Sequence, residues 1–367
     1  MTEPATLTDR QLGRATLARQ LLLERADISA LEAVGRLGGL QAQEPKPPFL
    51  GLWSRLAGFD EADVRQALHD RSVVRATMMR GTLHLCSDTD YLACRASLHP
   101  MLTRAMTSAL RDRSEGLDPD AVLPVARELL GEQPRTFDEL RTLLQAVFPD
   151  VNHRALGYAV RMLLPLVMVP TEDRWGFPRV ARFTLAEAWL GRALNSASEP
   201  DELVLRYLGA FGPATAADVQ AWSGLQGIKA VLERLRSRLV TFTDEAGREH
   251  FDLPGAPRPD ADVAAPVRFL PEFDSLMLAH ADRTRLIADE HRPAVITKNL
   301  RVKATFLIDG RVAGTWEVKR ARREATLTLT AFRGLSKRDG EALRAEGEAM
   351  LRFGEPDAGA VAVKVTS

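Results

Sequence analysis

Two side-chain amides, Gln41 and Gln43, stand one residue apart in Gly38-Gly39-Leu40-Gln41-Ala42-Gln43-Glu44-Pro45. The stretch closes an apolar helical pattern (Leu31, Val34, Leu37, Leu40) and runs into Pro45, Pro47 and Pro48. Proline disfavours helix in the residue before it, so extended backbone is expected here. Residues two apart in an extended chain point to one side. Gln41 and Gln43 would then sit side by side, with Ala42 turned into the core. Each amide has a carbonyl acceptor and an NH2 donor, and two of them can grip one water or one polar edge. The plainer reading is that both satisfy loop backbone groups, as most side-chain amides do. Glu44 is the rival base, and the same alternation turns it away from the glutamines. Lys46 is the nearest amine that could form a Schiff base.

Other chemistry is thinly represented. His84, Cys86, Cys94 and His99 are close in sequence, but their spacing matches no common zinc module. They read as buried thiols and packed histidines, and no metal is expected. There is no GxxxxGK[ST] phosphate loop, no strand-GxGxxG-helix unit and no GxSxG elbow. The densest basic run is Lys319-Arg320-Ala321-Arg322-Arg323. Alone it is a solvated strand end; beside Lys298, Arg301 and Lys303 it becomes a surface for phosphates. Arg80, Thr82 and His84 would share one face of a hairpin, open to DNA or, for His84, to the core.

These residues belong to a chain of 367 residues, long enough for two or three packed units. With two cysteines, no signal-like start and no long apolar stretch, it reads as a reduced, cytoplasmic protein with no membrane contact. The 49 basic and 49 acidic residues cancel, but unevenly. Over 281–340 there are 14 Lys/Arg against 7 Asp/Glu, and over 71–113 there are 7 Arg against 3 Asp. A neutral protein segregated in this way can present one face to a polyanion.

The elements repeat without a fixed period. Helices over 8–25 (a capping box of Thr8 and Gln11), 27–40, from the prolines, and 60–69 precede a hairpin bending near Gly81. Helices 136–148 and 152–164 lead to a strand pair over 167–177 around Asp173-Arg174. Helices 200–211, from Thr215, and 228–239 lead to a second wing at 239–251. Helices followed by a hairpin make the winged helix-turn-helix pattern. The expected fold is α+β: winged units over 1–115, 116–195 and 196–264, then a β-rich, barrel-like subdomain over 265–367. That last part has an Asp309-Gly310 hairpin, a helix over 336–353 and a strand over 360–366.

Leu40-Gln41-Ala42-Gln43 with its prolines and Gly51-Leu52-Trp53, then Arg80-Gly81-Thr82-Leu83-His84-Leu85, Leu270-Pro271-Glu272-Phe273-Asp274-Ser275, and Asp309-Gly310 with Gly314-Thr315-Trp316 resemble the AlkZ-like winged-helix DNA glycosylases of actinobacteria. The resemblance runs along nearly the whole chain. It implies tandem winged helices and a β-barrel around a DNA channel, no cofactor, and a catalytic glutamine-apolar-glutamine motif on Gln41 and Gln43. A sister branch has Asp at the second position. The type member protects an azinomycin producer by removing N7-alkylated guanines, including those in interstrand crosslinks. The implied partner is double-stranded DNA carrying alkylated guanine, with no obligate protein partner.

The chemistry of amides agrees. An ordinary N-glycosidic bond needs an acid or a carboxylate base, and an amide is neither. N7-alkylguanine already carries positive charge and leaves without protonation. A water oriented and polarised by two carbonyl oxygens then suffices, and the enzyme is expected to be monofunctional. The alternative is a non-catalytic tandem winged-helix regulator. Its readers would be Asn152, His153 and Arg154, or Gln226, Lys229, Arg234 and Arg236, neither set rich in base-reading side chains.

Overall fold

In the computed structural model, which describes residues 5–297, 299 and 301–366, the chain is an α+β protein. Strand β1 (Thr6–Leu7) precedes helix α1 (Asp9–Arg19). Thr8 and Gln11 form the expected capping box, each side chain accepting from the other's backbone N–H. Helix α2 (Ala30–Arg36) is capped by Ser29 and ends where Gly38 and Gly39 take φ of 67° and 81°. Strand β2 (Leu40–Gln41), α3 (Lys46–Trp53) and α4 (Glu61–His69) lead to the hairpin of β3 (Val73–Thr77) and β4 (Leu83–Ser87). Three helices absent from the periodicity argument follow: α5 (Asp88–Cys94), α6 (His99–Leu110) and α7 (Pro119–Glu132).

Helices α8 (Phe137–Val147), with the Thr136–Glu139 box, and α9 (His153–Leu163) lie as expected. Strand β5 (Leu166–Met168) does not pair across the Asp173-Arg174 turn; its partner is β6 (Phe183–Leu185). Pro170 and Pro178 lack the N–H a nearer ladder would need. Through Ala76–Val167, β5 also joins β3, giving one sheet of order β2-β4-β3-β5-β6. The first two hairpins therefore share a sheet. Their helices share a core as well, with Val34, Phe49 and Leu52 packed among the same cluster as Leu144 and Leu156.

After α10 (Ala186–Leu190) come α11 (Asp201–Phe211), α12 (Ala216–Ser223), α13 (Ile228–Leu235) and the hairpin of β7 (Val240–Asp244) and β8 (Glu249–Asp252). Strand β1 pairs parallel to β7, and Arg19 of α1 makes a buried two-pronged ion pair with Asp252 at 2.7 and 2.8 Å. The start of the chain is thus tied to the third helical group.

The C-terminal part holds β9 (Arg268–Leu270), α14 (Arg292–Val295), β10 (Thr305–Ile308), β11 (Arg311–Ala321), β12 (Glu324–Ala331), α15 (Lys337–Gly354) and β13 (Ala360–Thr366). Asp309 and Gly310 make the expected tight turn, with φ of 46° and 75°. The barrel expectation is corrected: these strands form an open five-stranded sheet, β13-β12-β11-β10-β9. The cause is topological. Helix α15 returns the chain to the end where β12 began, so β13 enters parallel to β12 and caps one edge. Leu343, Met350 and Leu351 of α15 bury themselves on one face of the sheet, each contributing about 1.5–3 kcal/mol.

Candidate active site

Gln41 is placed by a two-residue ladder, β2 against β4, in which Leu40 faces Leu85 and Gln41 faces His84. Gly39 makes the close approach possible, since a Cβ there would stand 3.2 Å from the Leu85 carbonyl oxygen. Ala42 extends the ladder by one bond, its N–H donating to Leu83 O at 2.7 Å, and buries its methyl as expected. There the extended backbone ends. Arg75 of β3 donates Nε to Ala42 O at 2.8 Å and Nη2 to Gln43 O at 3.0 Å, drawing both carbonyls out of the ladder. The Leu83 N–H, denied Ala42 O, donates instead to Gln43 Oε1 at 2.7 Å. Pro45 is already helical (φ −65°, ψ −41°), and Pro47 sits in the first turn of α3, where a missing N–H costs nothing.

The two amides are held by different donors and line different clefts. Gln41, 6% exposed, accepts Arg80 Nη2 on Oε1 at 2.8 Å. It lines a narrow cleft between Pro47, Arg55 and the segment Pro271–Ser275, which leaves about 10 Å³ for water centres, room for about one molecule. Gln43 is half-buried and lines a wide cleft of about 660 Å³ with Arg75, the start of α8 and residues 178–181. Glu44 is exposed and lines that same wide cleft rather than turning away from Gln43. Each amide oxygen holds one donor and keeps a second lone pair.

The other sequence candidates separate clearly. Arg80 is turned inward, onto Gln41 and onto the Trp222 carbonyl. His84 is 1% exposed and offers DNA no surface. Burial, helped by the Arg80 charge, holds its pKa down at about 3, so the ring is neutral. Cys86 and Cys94 are buried in the core, and burial raises both thiols, Cys94 to about 12. Lys46 is engaged by Glu355 and lies 5.7 Å from the Trp175 ring. Arg301, Lys303, Lys319, Arg320, Arg322 and Arg323 are exposed, and Arg322 and Arg323 form the tip of the β11–β12 hairpin. Arg301 pairs with Glu272 at 3.2 Å, Lys319 with Glu317 at 3.0 Å and Arg320 with Glu355 at 3.2 Å. Lys298 lies outside the described residues.

Three residues at the site escape sequence reasoning. Arg75 shapes the loop; burial lowers its pKa to about 10, against the pull of Glu44. Asp274 lines the Gln41 cleft, but both its oxygens are held by buried Arg55 at 2.9 Å. Glu272 lines the same cleft and, among the described residues, pairs only with exposed Arg301. For Glu272 and Asp274 the signal was the Leu270–Ser275 run, whose acidic residues had no chemistry assigned to them; Arg75 had none.

A family model described as DNA glycosylase AlkZ-like matches residues 34–353, and the chain belongs to that family of DNA glycosylases. It is similar to the interstrand DNA cross-link repair glycosylase of Streptomyces sahachiroi, 30% identical over 332 residues, 84% of this chain and 87% of the relative. Among solved structures, Streptomyces sahachiroi DNA glycosylase AlkZ matches with a TM-score of 0.78 and 26% identity, over 98% of this chain and all of that one. The reading as an enzyme therefore holds over the reading as a regulator. Among the described residues no helix is long and apolar enough to cross a membrane.

Proposed function

We propose that this glycosylase hydrolyses the N-glycosidic bond of guanine alkylated at N7, including guanines joined in interstrand crosslinks, with Gln41 and Gln43 holding the hydrolytic water. The observation that carries the reading is the one-water cleft at Gln41, whose amide oxygen is clamped by Arg80 and keeps one lone pair. Asp274 is spent on Arg55, so beside Gln41 the amide is the acceptor already held in place. Two neutral oxygens stabilise a polarised water only modestly, which is enough for a leaving base that is already cationic. Gln43, two residues on, supplies the second oxygen of the proposed pair. The cross-link activity named for the Streptomyces sahachiroi relative supports the substrate class.

The three helical groups with their hairpins are read as winged helices over 1–115, 116–195 and 196–264. The exposed cations Arg301, Lys303, Lys319, Arg320, Arg322 and Arg323 serve as phosphate contacts, exchanging weak surface ion pairs for the DNA backbone. The deciding experiment is free-base release from duplex DNA with N7-methylguanine, then from crosslinked DNA. Gln41→Ala and Gln43→Ala are expected each to slow release roughly 100-fold while retaining DNA binding. No release by the wild type on either substrate ends the proposal.

A further inference from the structure

Arg80 reads as a DNA contact from its sequence neighbourhood, but its surroundings are those of an internal strut. One guanidinium nitrogen donates to Gln41 Oε1 at 2.8 Å and the other to Trp222 O, near the C-terminus of α12. Carbonyls at a helix C-terminus carry partial negative charge, and among the described residues no carboxylate pairs with Arg80. The backbone is committed to this geometry: Arg80 has φ of 55° and Gly81 φ of 71°, and a Cβ at Gly81 would meet Met162 at 2.7 Å. A non-glycine residue at positive φ is uncommon and marks a position held by its surroundings.

His84 stands directly across the ladder from Gln41, so both side chains leave the same face. Its Nδ1 lies 3.1 Å from Thr82 O, an acceptor, which places the proton on Nδ1. Nε2 is then a lone pair, buried without a partner among the described residues. The Gln41 amide oxygen therefore faces a fixed donor, on the same sheet face as a neutral His84 ring. Reversing the amide would set its NH2 against the guanidinium, donor against donor.

We infer that Arg80 is a positioning residue for the hydrolysis: it holds the Gln41 amide in one of its two orientations, oxygen toward Arg80, and thereby fixes the lone pair that meets the water. Through Trp222 it also ties that orientation to the third helical group. The inference rests on the role proposed above for Gln41. Burial lowers the guanidinium pKa to about 10, which still leaves it charged at neutral pH.

The test is single-turnover base release from N7-methylguanine duplex together with equilibrium DNA binding. The proteins compared are wild type, Arg80→Ala, Arg80→Lys, Gln41→Ala and the double variant Arg80→Ala/Gln41→Ala. Arg80→Ala is expected to slow release roughly 100-fold with Kd and its salt slope unchanged. Arg80→Lys, which reaches one partner but not both, falls between, and the double variant is no slower than Gln41→Ala. A residue that only supports the fold would add its loss in the double variant, and that result overturns the inference. A phosphate contact would raise Kd and flatten the salt slope by about one, which overturns it equally. A wild-type rate in Arg80→Ala beside an inactive Gln41→Ala sinks this inference alone. A wild-type rate in Gln41→Ala sinks the role of Gln41 itself. Should Arg80→Ala not fold, Arg80→Lys is judged on the same two readouts.

Discussion

Gln43 has a structural duty and a proposed chemical one, and two substitutions separate them. The Leu83 N–H donates to Gln43 Oε1 at 2.7 Å, and Leu83 is 8% exposed. In Gln43→Ala that donor cannot fall back on Ala42 O, which Arg75 already holds at 2.8 Å. A buried N–H left unmet costs about 1–3 kcal/mol, and that is the expected loss of unfolding free energy. Gln43→Glu keeps an oxygen at the same reach and strengthens the bond by its charge, so stability should stay within about 0.5 kcal/mol of wild type. Base release should fall in the alanine variant and survive in the glutamate variant, now rising with pH as the carboxylate ionises. Urea melts followed by tryptophan fluorescence give the first quantity, provided the slope m is unchanged. An alanine variant with wild-type midpoint would show that the Leu83 bond contributes nothing. A glutamate variant of wild-type stability that releases no base would mean the chemistry needs the amide NH2 rather than the oxygen.

Glu272 shares the Gln41 cleft, so Glu272→Gln tests whether a carboxylate does the work. Its rate should drop by less than about tenfold; a loss of roughly 100-fold or more is what a general base contributes and would move that role to Glu272. Asp274→Ala leaves Arg55 charged and buried, and should cost about 3–5 kcal/mol in denaturant melts. A cost under about 1 kcal/mol would mean the pair is not what holds the Leu270–Ser275 segment. Burial depresses His84 and His280 from 6.5 to about 3, assisted by the Arg80 and Arg285 charges respectively. The unfolded chain therefore binds protons first on acidification. Their contribution to stability is full above pH 6.5 and is lost as pH falls from 6.5 toward 3. Tm should fall across that window, less steeply in His84→Asn, and a flat profile would contradict the burial of both rings.

What could be read from the chain divides along the range of the interactions. The boxes of Thr8 with Gln11 and Thr136 with Glu139, and the Asp309-Gly310 turn, are settled within three residues and lie where the sequence puts them. The partner of β5 is chosen by where two prolines forbid a ladder, and the pairing of β1 with β7 joins opposite parts of the chain. Sheet closure is likewise a property of how α15 returns, not of any strand's own pattern. The glutamine motif lies on this boundary. Its residue types were legible and alternation put both amides on one side, but the partners that hold the loop were not, since Arg75, more than thirty residues away, takes the Ala42 and Gln43 carbonyls. Gln43 then bonds the backbone, as the plainer reading expected, while Gln41 is claimed by Arg80 from the hairpin turn. Identical side chains two residues apart thus enter different environments because different groups occupy one lone pair of each. The lone pair that remains on each oxygen is what the chemistry has to use, and it is set by the tertiary fold.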